Sequence, residues 1–282
     1  MPKRPSTEEP SEVHVGAVAY LNARPLTFRL AKFLPQARVT VDLPSRLADA
    51  LASGRLDVAM IPSIEYFRHP DYAIVSDACV ACDGPVRSVK LYSRRPVAQI
   101  RTLAMDEGSR TSAALTRILL KERFGLELQV QPLPIGTTVE DTTADAAMLI
   151  GDRGMQPTKG QFEFVWDLGE EWSRWTGLPF VFAMWIARAA GDRADMDQRH
   201  VGEMLGAARD EGVAQLAEIA RQEAPALGIP ETECLEYLRD HLEFRLGDRQ
   251  RRGLQLFCEL AVRHGLAPAG VKLVFDDQPA AR

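Results

Sequence analysis

The stretch PSRLADALASGRLDVAMIPS, residues 44–63, constrains the fold more than any other in the chain. Its second half, LDVAMI at 56–61, is apolar apart from one aspartate and lacks the alternation of a half-exposed strand. A run of this kind is a strand buried on both faces, as in parallel sheets covered by helices. The first half supplies a covering helix. Ser45 stands at a capping position, Leu47, Ala48 and Leu51 share one face, and Gly54 marks the end. Strands at 13–19 and at 39–43, VTVDL, precede it. This β–helix–β rhythm predicts an α/β fold with a mostly parallel sheet.

The pattern returns further on. DVAMIP at 57–62 is echoed by DAAMLIG at 145–151, each starting a buried strand with aspartate and leaving it at a turn. The second echo closes its own unit: a strand at 101–106, a helix over SRTSAALTRILLKERFG, and a strand in LELQVQPL at 126–133. Leu115, Ile118, Leu119 and Phe124 form the apolar face of that helix, and Gly125 stops it. Two similar α/β lobes fit this echo. Ligands of such folds bind beyond the carboxyl ends of the strands and often between domains.

Further strands are expected at 73–82, 86–93 and 179–188, and the aromatic segment WDLGEEWSRWTGL at 166–178 is expected to pack on a lobe. A helical block follows at about 195–223, 231–246 and 248–264, with Asp248 as a cap and Gly265 as a stop, before a closing strand at 271–275. The first lobe then runs over 12–92 and resumes at 183–278, with the second at 93–182 and the chain crossing near 89–94 and 180–188.

Composition narrows the function. A net charge of −5 argues against nucleic acid as a bulk electrostatic partner. The 28 arginines against six lysines suit planar carboxylates and phosphates, or reflect a genomic habit. No segment approaches about 18 uninterrupted apolar residues, so no membrane partner is expected. Residues 1–11 read as disordered and lack the apolar core of a signal peptide, so a cytoplasmic location is expected. The cysteines of CVAC, Cys79 and Cys82, have the spacing of a redox pair or half a zinc site. Cys234 and Cys258 have no partner at ligand spacing, so buried thiols are the default and no metal is expected.

Polar residues gather where the strands stop: Tyr20 and Asn22, Ser63 and Glu65, Arg87 and Ser88, Ser109, Thr111 and Ser112, and Asp152. Each has a plain structural alternative. The hydroxyls at 109–112 can cap a helix or help its N-terminus hold an anion. Arg87 can be a surface ion pair, and Tyr20 a packed aromatic. His14, His69, His200, His241 and His264 have no motif-like neighbours. A nucleophile elbow, a phosphate-binding loop and a dinucleotide fingerprint are absent from the sequence, which leaves cofactor-free chemistry or plain binding.

The segments VGAVAYLNARPL, DLPSRLADALASGRLDVAMIPSIEYFR, SDACVACDGPVRSVKLYSR, TLAMDEGSRTSAALTRILL and DLGEEWSRWTGLPFVFAMW together resemble the MqnA branch of the MqnA/MqnD family, the chorismate dehydratases of the futalosine route to menaquinone. They span most of residues 13–190. The resemblance implies an α/β fold like that of type II periplasmic binding proteins, two α/β lobes around a central cleft. It implies dehydration of chorismate, a small dicarboxylate, to 3-[(1-carboxyvinyl)oxy]benzoate without a cofactor. The family's catalytic residues carry over as Asn22 in YLNARPL and Ser88 in GPVRSV. Substrate-binding positions carry over less directly as Ser109, Thr111 and Ser112 in GSRTS and Ser63 in IPSIEY. Tyr20, Arg87 and Asp152 join them as polar groups at strand ends.

Losing water makes the chorismate ring aromatic, and product stability supplies much of the drive. The enzyme has to orient the ring and see one proton removed. Glu65 and Asp152 are candidate bases on spacing alone, and an ordinary carboxylate is a weak base unless burial raises its pKa. The substrate's own enolpyruvyl carboxylate is the third candidate and needs only a binding site. Two rival readings stand beside this one. One is the sister enzyme that forms 1,4-dihydroxy-6-naphthoate and is expected to use a histidine. The other is a non-enzymatic solute-binding or sensor domain, since fold does not fix function.

Overall fold

The computed structural model describes residues 12–160, 162–188 and 196–275. Residues 1–11, read above as disordered, lie outside the described residues. The chain begins with β1 (Val13–Val18), whose exit turns through two short helices, α1 (Arg24–Thr27) and α2 (Leu30–Phe33), into β2 (Ala37–Asp42). Then follow α3 (Pro44–Ala52), β3 (Val58–Pro62), α4 (Ser63–Arg68) and the long β4 (Tyr72–Cys82). The second unit runs β5 (Lys90–Ser93), β6 (Thr102–Asp106), α5 (Thr111–Phe124), β7 (Gln129–Leu133), β8 (Ala146–Leu149), α6 (Gly151–Met155), β9 (Phe164–Asp167) and α7 (Leu168–Thr176). The chain returns through β10 (Phe180–Arg188) to α8 (Gln198–Ala214), α9 (Leu216–Leu227), α10 (Glu231–Asp240), β11 (Glu243–Arg245) and α11 (Asp248–Arg263).

Two sheets result. One has six strands in the order β11-β4-β10-β3-β1-β2, the other five in the order β7-β6-β8-β5-β9. The expected parallel pairs are present: β1 with β2 and β3, and β6 with β7 and β8. The sheets are nonetheless mixed. β10 runs antiparallel between β3 and β4, and β5 antiparallel between β8 and β9. These are the strands that change lobes, and a chain arriving from the other lobe meets the sheet from its far end. Because β5 belongs to the second sheet, the first crossing lies in 83–89, ahead of the expected 89–94. All of β10 belongs to the first sheet, so the return is complete by Phe180.

Val58–Pro62 is buried along its whole length, as its unbroken apolar run requires. The aspartate echo has a geometric basis. Asp57 accepts the His14 N–H at 2.7 Å, at the start of neighbouring β1. Asp145 accepts the N–H groups of Arg101 and Thr102 at 2.9 and 3.1 Å, at the start of neighbouring β6. Each carboxylate satisfies donors that precede the first ladder bond and so fixes the register of a parallel pair.

Several local expectations are corrected. Ser45 is the second residue of α3 and does not cap it; Leu43 precedes Pro44, which takes the first helical position. Gly247 occupies the cap position of α11, with Asp248 in its first turn. The helix expected at 231–246 stops at Asp240, and Glu243–Arg245 pairs with β4 as an edge strand. The closing strand at 271–275 reduces to one bridge between Phe275 and Ile74. Phe124 is partly exposed and packs its ring on Trp166, while Leu115, Ile118 and Leu119 are fully buried as expected.

The aromatic segment packs inward. Trp172 is fully buried with its ring edge-on to Phe180 at 5.1 Å and to Phe257 at 6.2 Å between centroids, and its indole N–H donates to the Pro179 carbonyl at 3.1 Å. This cluster ties the second crossing to α11. Trp172→Ala is expected to cost about 3–5 kcal/mol of stability through the cavity and the orphaned carbonyl, read as a lower denaturant midpoint.

Candidate active site

The carboxyl ends of β1, β3, β6 and β8 face one another across the gap between the two sheets. β1 leaves into a short turn, Leu21–Ala23, that carries Tyr20 and Asn22. Tyr20 crosses the gap. A Cβ on Gly151 would lie 2.7 Å from its ring, and one on Gly108 would lie 3.0 Å from its hydroxyl. Glycine at 151, with φ +62°, is required both by that contact and by its backbone. Burial and the neighbouring Asp106 carboxylate push the Tyr20 pKa far up, so the phenol stays neutral.

Around Tyr20 lies a small pocket of about 40 Å³ that opens to solvent. Tyr20, Asn22, Ser109, Thr111 and Ser112 line it together with Val89 and Phe182. These polar groups arrive from both lobes. The Ser109 hydroxyl accepts the Ser112 N–H at 3.1 Å, so the capping alternative holds for that residue. The other groups of the first turn of this 14-residue helix add a partial positive charge at the pocket.

The lobes are closed on each other. The Thr111 hydroxyl accepts the Ile64 N–H at 3.3 Å and lies 3.4 Å from the Ser63 hydroxyl, which donates to the Val181 carbonyl at 2.8 Å. Ser63 is thus a buried tie beneath the pocket. Arg110 pairs across the gap with Asp49 at 2.7 Å and Glu65 at 3.3 Å. Asp152 accepts the Leu21 N–H at 3.0 Å, again from lobe to lobe.

Ser88 is fully buried behind Val89, and its hydroxyl accepts a hydrogen bond from Tyr237 at 2.8 Å. Arg87 turns the other way. Its guanidinium pairs with Glu233 at 3.5 Å and Glu236 at 3.1 Å on α10, outside the pocket. This is the surface ion pair that the sequence left open. Its backbone has φ +61°, held by Asp167, which accepts the N–H groups of Val86 and Arg87 at 2.9 and 2.6 Å.

Of the candidate bases, Glu65 is flanked by two guanidinium groups, Arg68 at 2.8 Å and Arg110 at 3.3 Å, with the His69 ring at 3.7 Å. Asp152 and Asp106 both have pKa values raised, chiefly by burial. Asp106, which sequence reasoning passed over, takes the N–H of Gly108 at 2.9 Å and pairs with Arg153 at 2.5 Å. A carboxyl whose folded pKa is raised favours folding below its unfolded value, and that contribution fades as pH rises through the folded value. Asp152→Asn keeps an acceptor for Leu21 and removes the buried charge. It is therefore expected to raise the thermal midpoint at pH 7, with a smaller gain at pH 4.

All four cysteines are buried free thiols, and burial drives the Cys79 and Cys82 pKa values far up, so CVAC offers no reactive thiolate. Among the described residues no group of three or more His, Cys, Asp or Glu is placed to hold a metal ion. No helix among them is long and apolar enough to cross a membrane.

The profile of a family described as "Menaquinone biosynthesis" matches residues 13–263. The chain belongs to that family. A curated relative from Thermus thermophilus, named chorismate dehydratase, is 31% identical over 273 residues, covering 87% of this chain and 93% of the relative. Solved structures extend the likeness of the menaquinone-family chain to its fold alone. A protein from Archaeoglobus fulgidus superposes with a TM-score of 0.65 at 15% identity, over 90% of this chain and 98% of that one. The alkanesulfonate-binding protein SsuA from Xanthomonas axonopodis pv. citri, bound to MOPS, does so with a TM-score of 0.61 at 15% identity, over 92% and 95%. This menaquinone-family member therefore has the type II periplasmic-binding-protein fold.

Proposed function

We propose that this protein is a cofactor-independent hydro-lyase that converts chorismate to 3-[(1-carboxyvinyl)oxy]benzoate and water in menaquinone biosynthesis. The observation that carries the proposal is a pocket between the lobes whose polar groups come from the strand exits of both. Tyr20 and Asn22 face the N-terminal turn of α5 with Ser109, Thr111 and Ser112. A dicarboxylate suits such a place. Hydroxyls and the positive helix end hold one carboxylate, and closure excludes water around the ring.

The chemistry is a loss of one ring C–H bond and one neighbouring C–O bond. The electron pair of the C–H bond becomes the new ring double bond, and proton and hydroxide leave as water. Charge that builds on the ring carboxylate is stabilised by fixed donors. The substrate's enolpyruvyl carboxylate takes the proton in this reading, because Glu65 is engaged with Arg68 and Arg110 and Asp152 with Leu21. Asn22 orients the substrate. The residues lining the pocket include no histidine, which disfavours the sister reaction. A cytoplasmic location is part of the proposal.

The test is incubation of purified protein with chorismate, followed by product mass. A product lighter by one water, formed faster than without protein, supports the reading. Tight binding without turnover replaces it with a sensor.

A further inference from the structure

We infer that Tyr237 is the positioning residue of this site: its buried hydroxyl holds Ser88 in place beside Asn22, so that α10, far along the chain, sets the geometry of the first lobe crossing. The inference rests on the proposed dehydration for its kinetic readout, and on geometry for the rest.

Tyr237 lies on the buried face of α10 between Cys234 and Leu238, and its side chain is sealed from solvent. A phenol in such a place requires a partner. It donates to the Ser88 hydroxyl oxygen at 2.8 Å, with the Asn22 side chain close by. Burial raises the Tyr237 pKa far above the ordinary phenol range, so the hydroxyl remains a donor at any working pH. With its oxygen taken by Tyr237, the Ser88 hydroxyl keeps its own proton to give elsewhere. The Tyr237–Ser88 bond thus has a direction, and it joins α10 to the first lobe crossing.

The rest of α10 grips the same crossing. The ring nitrogen Nδ1 of His241, just past the helix end, lies 2.8 Å from the Pro85 carbonyl oxygen. Glu233 and Glu236 pair with Arg87. Helix α10 and the residue that follows it therefore hold residues 85, 87 and 88, and Tyr237 makes the buried side-chain contact among them.

Tyr237→Phe keeps the ring and deletes the hydroxyl. The expected result is a fall in kcat of about 10- to 100-fold with KM changed less than threefold and the thermal midpoint nearly unchanged. In the Ser88→Ala background the same change is expected to have under a threefold effect, because the contact is already broken. A crystal structure of Tyr237→Phe is expected to show Ser88 or the Asn22 amide in a new rotamer. Unchanged kcat, or a loss that multiplies fully with Ser88→Ala, overturns the inference. Unchanged rotamers overturn it even where wild type fails to turn over chorismate, a failure that separately counts against the proposed reaction.

Discussion

Asn22→Ala is expected to lower kcat for chorismate by 100-fold or more, equivalent to about 2.7–4 kcal/mol of transition-state stabilisation, the loss typical of a fixed donor in a closed site. Asn22 has fewer structural duties than Ser109, Thr111 or Tyr20. Ser109 caps α5, Thr111 ties two lobes, and Tyr20 spans the gap. The Asn22 side chain faces the pocket. Its loss should therefore register in kcat while the fold persists. Steady-state kinetics with chorismate and a thermal melt decide the matter. A variant with wild-type kcat would remove Asn22 from the reaction, and one that melts early would recast it as structural.

The second large effect concerns space. A Cβ on Gly154, in α6, would lie 2.3 Å from the Ser88 carbonyl oxygen, which is backbone and cannot rotate away. Gly154→Ala therefore has to push α6 off the first crossing. The expected cost is about 2–3 kcal/mol of stability, with at least a tenfold loss of kcat because Ser88 moves. Gly206→Ala is the control. It also lies in a helix, and its added Cβ would approach Asp77 Oδ1 no nearer than 3.5 Å. It should stabilise by about 0.5–1 kcal/mol through helix propensity alone. Chemical denaturation of both variants separates helix propensity from contact. Equal behaviour of the two would mean that α6 and the crossing do not touch.

The parts of this architecture legible in the sequence are those written in local pattern. β3 and β8 declared themselves through unbroken apolar runs, and α5 through the spacing of Leu115, Ile118 and Leu119. The polar groups at the exits of β1 and of β6 were also readable, because a polar residue after a buried strand stands at a strand mouth in any α/β fold. Tyr237 was not readable. It sits on an ordinary amphipathic helix in phase with Cys234 and Leu238, where a tyrosine looks like core. Its partner Ser88 is 149 residues away, a separation no local pattern encodes. Asp106 offered a faint sign: an aspartate ending a strand two residues before Gly108 makes the tight turn seen here. Arg87 misled for the opposite reason. Backbone that follows the site around a bend can send its side chain outward, and the positive φ that does so has no mark in the sequence at a non-glycine residue.

The two aspartates at the starts of the parallel strands carry a consequence for how this molecule can change. Asp57 and Asp145 hold strand register at one end of each sheet, and the pocket groups sit at the other. Along β1, β3, β6 and β8, the carboxylates that fix register and the groups that line the pocket are separated by the strand length. Drift at the substrate end can then proceed without undoing the alignment of the sheets. A scaffold divided in this way is free to exchange one ligand or reaction for another while its foundations stay put.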